Sequence, residues 1–183
     1  DAIDMILDGG QVGIGLESTI VDFTEDVPVV LRPGYISLEM LQEILGEVRM
    51  DRGLLITDSS VHPKAPGMKY RHYAPSAPLT VYAGNIEAVE SEILSFANKG
   101  KGKFGFFVSQ ETAEKIPAGN IIFVWGRRGN KKELAHNLFQ GLLFFNNHPV
   151  DHIIGEGTDG EGIGMAIMNR LTKASGTHII NMN

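Results

Sequence analysis

From Leu79 onward, apolar runs of strand length alternate with apolar stripes at helical spacing. The pattern predicts strands over Leu79–Ala83, Phe104–Val108, Ile121–Trp125, His152–Ile154 and His178–Asn181. Between them it predicts helices over Ile86–Ala97, Glu111–Ile116, Lys131–Asn146 and Ile163–Ala174. Strands alternating with helices are the pattern of βαβ units, whose crossovers join parallel strands and are right-handed. Five strands separated by four helices therefore predict an α/β domain, Rossmann-like, with a mainly parallel five-stranded sheet covered on both sides. Phe104-Gly-Phe-Phe-Val108 and Ile121-Ile-Phe-Val-Trp125 lack the polar alternation of a half-exposed strand, as central strands of such a sheet do.

Residues 1–46 do not follow that alternation. Thr19–Phe23 and Val29–Arg32 are β-like runs joined through Thr24-Glu-Asp-Val-Pro28, which predicts an antiparallel pair. A short helix is expected next. Ser37 is its N-cap, Glu39 sits in the first turn, Leu38, Leu41 and Leu45 share a face, and Gly46 ends it. Two strands and one helix bury too little area for an independent domain, so this part is expected to be the remnant of a larger one.

Composition narrows the function classes. A 43% apolar content supports a packed core, and no apolar run is long enough to span a bilayer. With no cysteine there is no disulfide, thiolate nucleophile or Cys-ligated zinc, as suits a cytoplasmic chain. The six histidines show no tight ligand spacing, so no protein metal site is expected. Residues 1–78 hold six of the 16 Lys/Arg but twelve of the 22 Asp/Glu, against broad nonspecific nucleic-acid binding. The cluster Arg127, Arg128, Lys131 and Lys132 reads as a solvated face opening a surface helix.

Inside this acidic chain, Lys64-Ala-Pro-Gly-Met-Lys-Tyr-Arg-His-Tyr-Ala-Pro75 is a local cationic run, and no Asp or Glu lies between Asp58 and Glu87. Its prolines disfavour a helix or an inner strand. Arginine grips phosphate bidentately, and tyrosine covers a base or donates its hydroxyl, so Lys69 to Tyr73 suits a nucleotide better than a mere tether does. Gly155-Glu-Gly-Thr-Asp-Gly160 fits a dinucleotide fingerprint only formally. It lies in the last βα unit, and Glu156, Asp159 and Glu161 would repel a pyrophosphate.

The Lys64–Pro75 run resembles the interdomain linker of two-domain threonylcarbamoyl-AMP synthases, in which a YrdC-type catalytic domain precedes a smaller Rossmann-like one. Asp8-Gly-Gly10 through Glu17-Ser-Thr-Ile-Val-Asp22, then Leu31-Arg-Pro-Gly34, resembles the end of the YrdC-type domain. Ala166-Ile-Met-Asn-Arg-Leu-Thr-Lys-Ala174 resembles the last helix of the second domain. The resemblance implies a catalytic-domain remnant over 1–48, a linker over 49–78 and a C-terminal Rossmann-like domain over 79–183. It also implies synthesis of threonylcarbamoyl-adenylate from L-threonine, bicarbonate and ATP, with Mg2+ accompanying the nucleotide. The product feeds threonylcarbamoyladenosine modification of tRNA, which makes tRNA and downstream modification proteins candidate partners. Ser18 matches a threonine contact, Arg32 an ATP contact, and Tyr70 and Tyr73 are the linker residues expected at ATP. No residue is assigned a catalytic role; Glu17 and Asp22 are expected to be structural, and Asn169 and Arg170 to cap or bridge. The family's upstream Lys-x-Arg and Ser-x-Asn motifs do not occur in their context here, so residues 1–183 alone are expected to be inactive. The alternative is a noncatalytic nucleotide-sensing or interaction module built on residues 79–183.

Overall fold

The computed structural model describes residues 3–10, 12–55, 74–99 and 103–183. The first elements in chain order are β1 (Ile20–Asp22), β2 (Val29–Arg32), α1 (Leu38–Leu45), β3 (Arg49–Met50) and α2 (Arg52–Leu55). They are followed by β4 (Leu79–Gly84), α3 (Ile86–Lys99), β5 (Phe104–Val108), α4 (Gln110–Ala113) and β6 (Ile121–Val124). The chain closes with α5 (Lys131–Asn147), β7 (His152–Glu156), α6 (Ile163–Ala174) and β8 (Ile179–Met182).

Strands β4 to β8 form one sheet in the order β6-β5-β7-β4-β8, and every pairing in it is parallel. Successive side chains on a strand point to opposite faces, so each strand feeds two cores. Leu79, Val81, Phe107 and Ile153 pack with α5 and α6. Their neighbours Tyr82, Phe106, Val108 and Ile154 pack with α3 on the other side. The uninterrupted apolar runs of the sequence follow from this double coverage. Helix α5 approaches the sheet through Gly141, where an added Cβ would lie 2.2 Å from the Phe107 ring and 2.7 Å from Phe123. A glycine inside a helix ordinarily costs about 1 kcal/mol relative to alanine; here any side chain would push the helix off the sheet.

The first sheet has the order β1-β2-β3, with β2 antiparallel to β1 and parallel to β3. Helix α1 begins as expected, the Ser37 hydroxyl accepting from the Met40 backbone N–H, and ends at Gly46 with φ 79°. It buries none of its own residues, and Ile44 is 84% exposed. The segment before β1 rests on α5: Leu16 packs on that helix's core, and a Cβ on Gly15 would stand 2.5 Å from the His136 carbonyl oxygen. Among the described residues no helix is long and apolar enough to cross a membrane.

Candidate functional site

The two short motifs of the first sheet lie against each other. β1 and β2 pair antiparallel with Ile20 opposite Arg32, and a register shift follows between Ile20 and Val21. That pairing returns Arg32 to the residues just before β1. Its Nε donates to the Ser18 carbonyl oxygen at 3.0 Å and its Nη2 to Ser18 Oγ at 3.2 Å. Gly34 is the close-approach residue: a Cβ there would lie 2.4 Å from the Thr19 backbone nitrogen and 2.7 Å from the Glu17 carbonyl oxygen. Thr19 Oγ1 closes the turn by donating to the Ile36 carbonyl at 2.8 Å. Ser18 is exposed and Arg32 half-buried, so hydroxyl and guanidinium both reach solvent. Asp22 has a local structural task, accepting from the Thr24 N–H at 2.9 Å and the Thr24 hydroxyl at 2.7 Å.

Helix α6 supplies the floor of this site. Arg170 is 5% exposed, donating through Nε to Glu17 Oε2 at 2.8 Å and through Nη1 to the Pro33 carbonyl at 2.7 Å. Lys173, one turn further along α6, is half-buried. Burial foremost, then the positive charges of Arg170 and Arg32, outweigh the attraction of Glu17 and bring its ammonium down to about 8. Three cations thus gather behind one serine hydroxyl, a set that favours a phosphate or carboxylate ligand. The Ser37 hydroxyl foremost, then the backbone N–H of Glu39 itself, with smaller contributions from the Gly162 backbone and the charge of Lys131, hold the Glu39 carboxyl below the ordinary carboxylate range.

This arrangement gives a pH test. Between about pH 8 and 10.5 the unfolded chain keeps a proton on Lys173 that the folded chain has lost, so its contribution to stability rises with pH across that window. Lys173→Met is therefore expected to raise the melting temperature at pH 7. The gain should shrink as the melts are repeated toward pH 10.5. An equal gain at both ends would place its origin in packing rather than in the ammonium charge.

A separate polar cluster occupies the carboxyl edge of the large sheet. There the neighbouring strands β5 and β7 send their chains to opposite faces, the switch-point geometry of open α/β sheets. Glu156, at the end of β7, accepts from the Ser109 backbone N–H at 2.9 Å and from Ser109 Oγ at 2.8 Å. Arg128 Nε reaches Glu156 Oε1 at 2.8 Å, while its Nη2 reaches Glu90 Oε1 at 2.8 Å and Thr112 Oγ1 at 2.9 Å. Hydrogen bonds from Lys115 foremost and then from Arg128 keep Glu90 low against the effect of burial. The basic run beginning at Arg127 is thus no uniformly solvated face. Arg128 belongs to the interior network, Lys131 pairs with Asp159, and Lys132 stands 5.7 Å over the Tyr35 ring.

Of the four residues expected to bind ligand, Ser18 and Arg32 are brought into direct contact. Tyr70 and Tyr73 lie outside the described residues. The sequence predicts that Arg170 caps or bridges, without saying which groups it joins, and gives no sign of a role for Lys173. A cation at either position of an amphipathic helix carries no local sign of what faces it across the fold.

A family model described as threonylcarbamoyl-AMP synthase, C-terminal domain, matches residues 36–176. The threonylcarbamoyl-AMP synthase of Bacillus subtilis (strain 168) is 39% identical over 175 residues, which cover 96% of this chain and 49% of the relative. That of Pyrococcus abyssi (strain GE5 / Orsay) is 41% identical over 187 residues, covering 98% and 52%. The crystal structure of P. abyssi Sua5 complexed with L-threonine matches 99% of this chain and 52% of its own with a TM-score of 0.85 and 39% identity. The chain spans about half the length of the curated relatives it matches.

Proposed function

The chain belongs to the threonylcarbamoyl-AMP synthase C-terminal-domain family, and from that premise we propose that it is the C-terminal part of an enzyme that makes threonylcarbamoyl-adenylate from L-threonine, bicarbonate and ATP. The observation that carries the reading is the contact between Ser18 and Arg32, since the resemblance assigns one to threonine and the other to the nucleotide. A hydroxyl that serves the amino acid and a guanidinium that serves the phosphates sit within one hydrogen bond. Such closeness suits a site that must hold an amino acid and a nucleotide phosphate side by side. The solved relative complexed with L-threonine, similar over almost the whole of this chain, supports the threonine half.

The charges behind the site suit phosphate and do not suit a magnesium ion. Glu17 is engaged with Arg170, and the other charged groups at hand are cations. Mg2+ therefore belongs with the nucleotide's own oxygens in this reading. The remainder of the catalytic domain, a cytoplasmic location, Tyr70 and Tyr73 at ATP, and delivery of the product to tRNA modification rest on the family resemblance. The apolar face that α1 exposes, with Ile44 and Met40 on it, is a surface that further YrdC-type domain structure would cover.

The test is substitution in the full-length protein, with pyrophosphate release and isothermal titration as readouts. Arg32→Ala is expected to weaken nucleotide binding by about 1.5–3 kcal/mol, the worth of a hydrogen bond to a charged group. Ser18→Ala is expected to raise the threonine KM more than the ATP KM. Because the two side chains touch, their effects should fall short of additive in the double variant. Unchanged ATP affinity in Arg32→Ala together with unchanged threonine KM in Ser18→Ala would remove the reading.

A further inference from the structure

Taking the Ser18–Arg32 pair as the substrate site proposed above, we infer that Arg170 of α6 is a positioning residue of that site, a single guanidinium that clamps both substrate-contacting segments from the C-terminal domain. One arm of the fork holds Glu17, the residue before Ser18, at 2.8 Å, and the other holds the carbonyl of Pro33, the residue after Arg32, at 2.7 Å. The two clamped segments are those brought into contact by the Ser18 and Arg32 hydrogen bonds. The span in sequence is large, 153 residues to Glu17 and 137 to Pro33, so the clamp joins parts of the chain that no local element connects.

Three features make this a device rather than an incidental surface pair. First, Arg170 is almost fully enclosed, its side chain 4% exposed against 30% for Glu17. A pair removed from water at one end is screened far less than a surface salt bridge and fixes geometry accordingly. Second, the planar guanidinium presents donors in a fixed fork, so two acceptors held by it are also held relative to each other. A lysine has no such fork. Third, Gly34 leaves the two backbones no slack, because a Cβ there would already collide with residues 17 to 19. In such packed contact a small displacement of either segment is transmitted to Ser18 and Arg32. The C-terminal domain would thus act on the chemistry by holding the threonine and nucleotide contacts in register, without touching either substrate.

The test compares Arg170→Gln, Arg170→Lys, Glu17→Gln and the Arg170→Gln/Glu17→Gln pair in the full-length protein. Threonine KM, ATP KM, kcat and melting temperature are measured for each, with Ser18→Ala and Arg32→Ala alongside. Arg170→Gln is expected to raise both KM values by about 10- to 100-fold, the worth of one charge-assisted hydrogen bond lost at each arm. Arg170→Lys should restore only part of this, since an ammonium cannot fix two acceptors at once. Glu17→Gln takes the charge out of the Glu17 arm alone, loosening only the Ser18 side, and should raise the threonine KM selectively. In the double variant the threonine KM should move no further than in Arg170→Gln alone. Should Arg170→Gln fail to fold, Glu17→Gln decides, because a selective rise in threonine KM at an unchanged melting temperature is not produced by general destabilisation. The inference is overturned if folded Arg170→Gln and Glu17→Gln keep both KM values within about twofold of the parent while Ser18→Ala and Arg32→Ala do not. If those two controls are also silent, the site reading itself has failed and the inference falls with it.

Discussion

Arg128→Met is expected to destabilise the protein by about 3–5 kcal/mol, the loss that follows when one partner of a buried ion pair is removed. The reason lies in what the guanidinium leaves behind. Glu156 is 3% exposed at the end of a central strand, and Glu90 keeps only 13% of its side-chain surface open. Both carboxylates lose their charge-assisted bonds to Arg128, and Glu90 retains Lys115 while Glu156 retains only Ser109. Methionine fills much of the volume but supplies no donor. Against a typical domain stability of about 5–15 kcal/mol, this is a large fraction. Urea unfolding followed by the fluorescence of Trp125, the single tryptophan and 1% exposed, reads it directly. Glu156→Gln placed on top of Arg128→Met should recover part of the loss, because the stranded charge is then gone. A coupling of about 0.5–3 kcal/mol is the expected range for residues sharing one network. A loss under about 1 kcal/mol, or strict additivity in the double variant, would show that water already compensates these carboxylates.

That network also shows where sequence legibility stops. The strand over His152–Ile154 is readable because three apolar-compatible residues follow a turn, yet β7 continues through Gly155 and Glu156. A glutamate ends an apolar run by pattern. It continues this strand because a guanidinium 28 residues away reaches it. The same pairing explains why a basic run that looks solvated has a half-buried arginine in it, its side chain 24% exposed. In both cases the missing information is long-range pairing, which periodicity does not encode.

Where burial alone sets the pattern, the reading from sequence and the structure agree closely. Phe104–Val108 and Ile163–Ala174 have the observed bounds, and the mainly parallel sheet expected from the alternation is found as a sheet in which every pairing is parallel. Strand β3 and helix α2, two and four residues long, are too short to display a period of their own. The contacts among the candidate residues divide along the same line. Ser18 and Arg32 stand in short motifs, and their contact follows from an antiparallel pair whose turn is visible in the sequence. The contacts that Arg170 makes with Glu17 and Pro33 were not legible, since Arg170 and Lys173 look like ordinary polar-face residues until two sheets are placed together.

If the proposed function holds, Gly34→Ala is expected to lower threonylcarbamoyl-adenylate formation by the full-length protein roughly 100-fold, the penalty of an ångström-scale misplacement in a positioning site. The added methyl would meet backbone rather than flexible side chain: Thr19 nitrogen at 2.4 Å, Glu17 oxygen at 2.7 Å and the Ser18 carbonyl carbon at 2.8 Å. Contacts that short cannot be absorbed by a rotamer change, so one of the two segments must move. Arg170 resists that movement by holding Glu17 and Pro33. The strain therefore falls on the hydrogen bonds between Arg32 and Ser18, the softest links in the set. Both substrates should bind more weakly, and kcat should fall with them, because the reacting groups are misaligned rather than merely loosened. Gly129→Ala is the matched control, with nothing within 4 Å of the position its Cβ would take. Parent-like kcat/KM for both threonine and ATP in a folded Gly34→Ala protein would mean that the closeness of the two motifs serves folding alone. A 100-fold loss with the melting temperature lowered no more than in Gly129→Ala would mean that it serves the reaction.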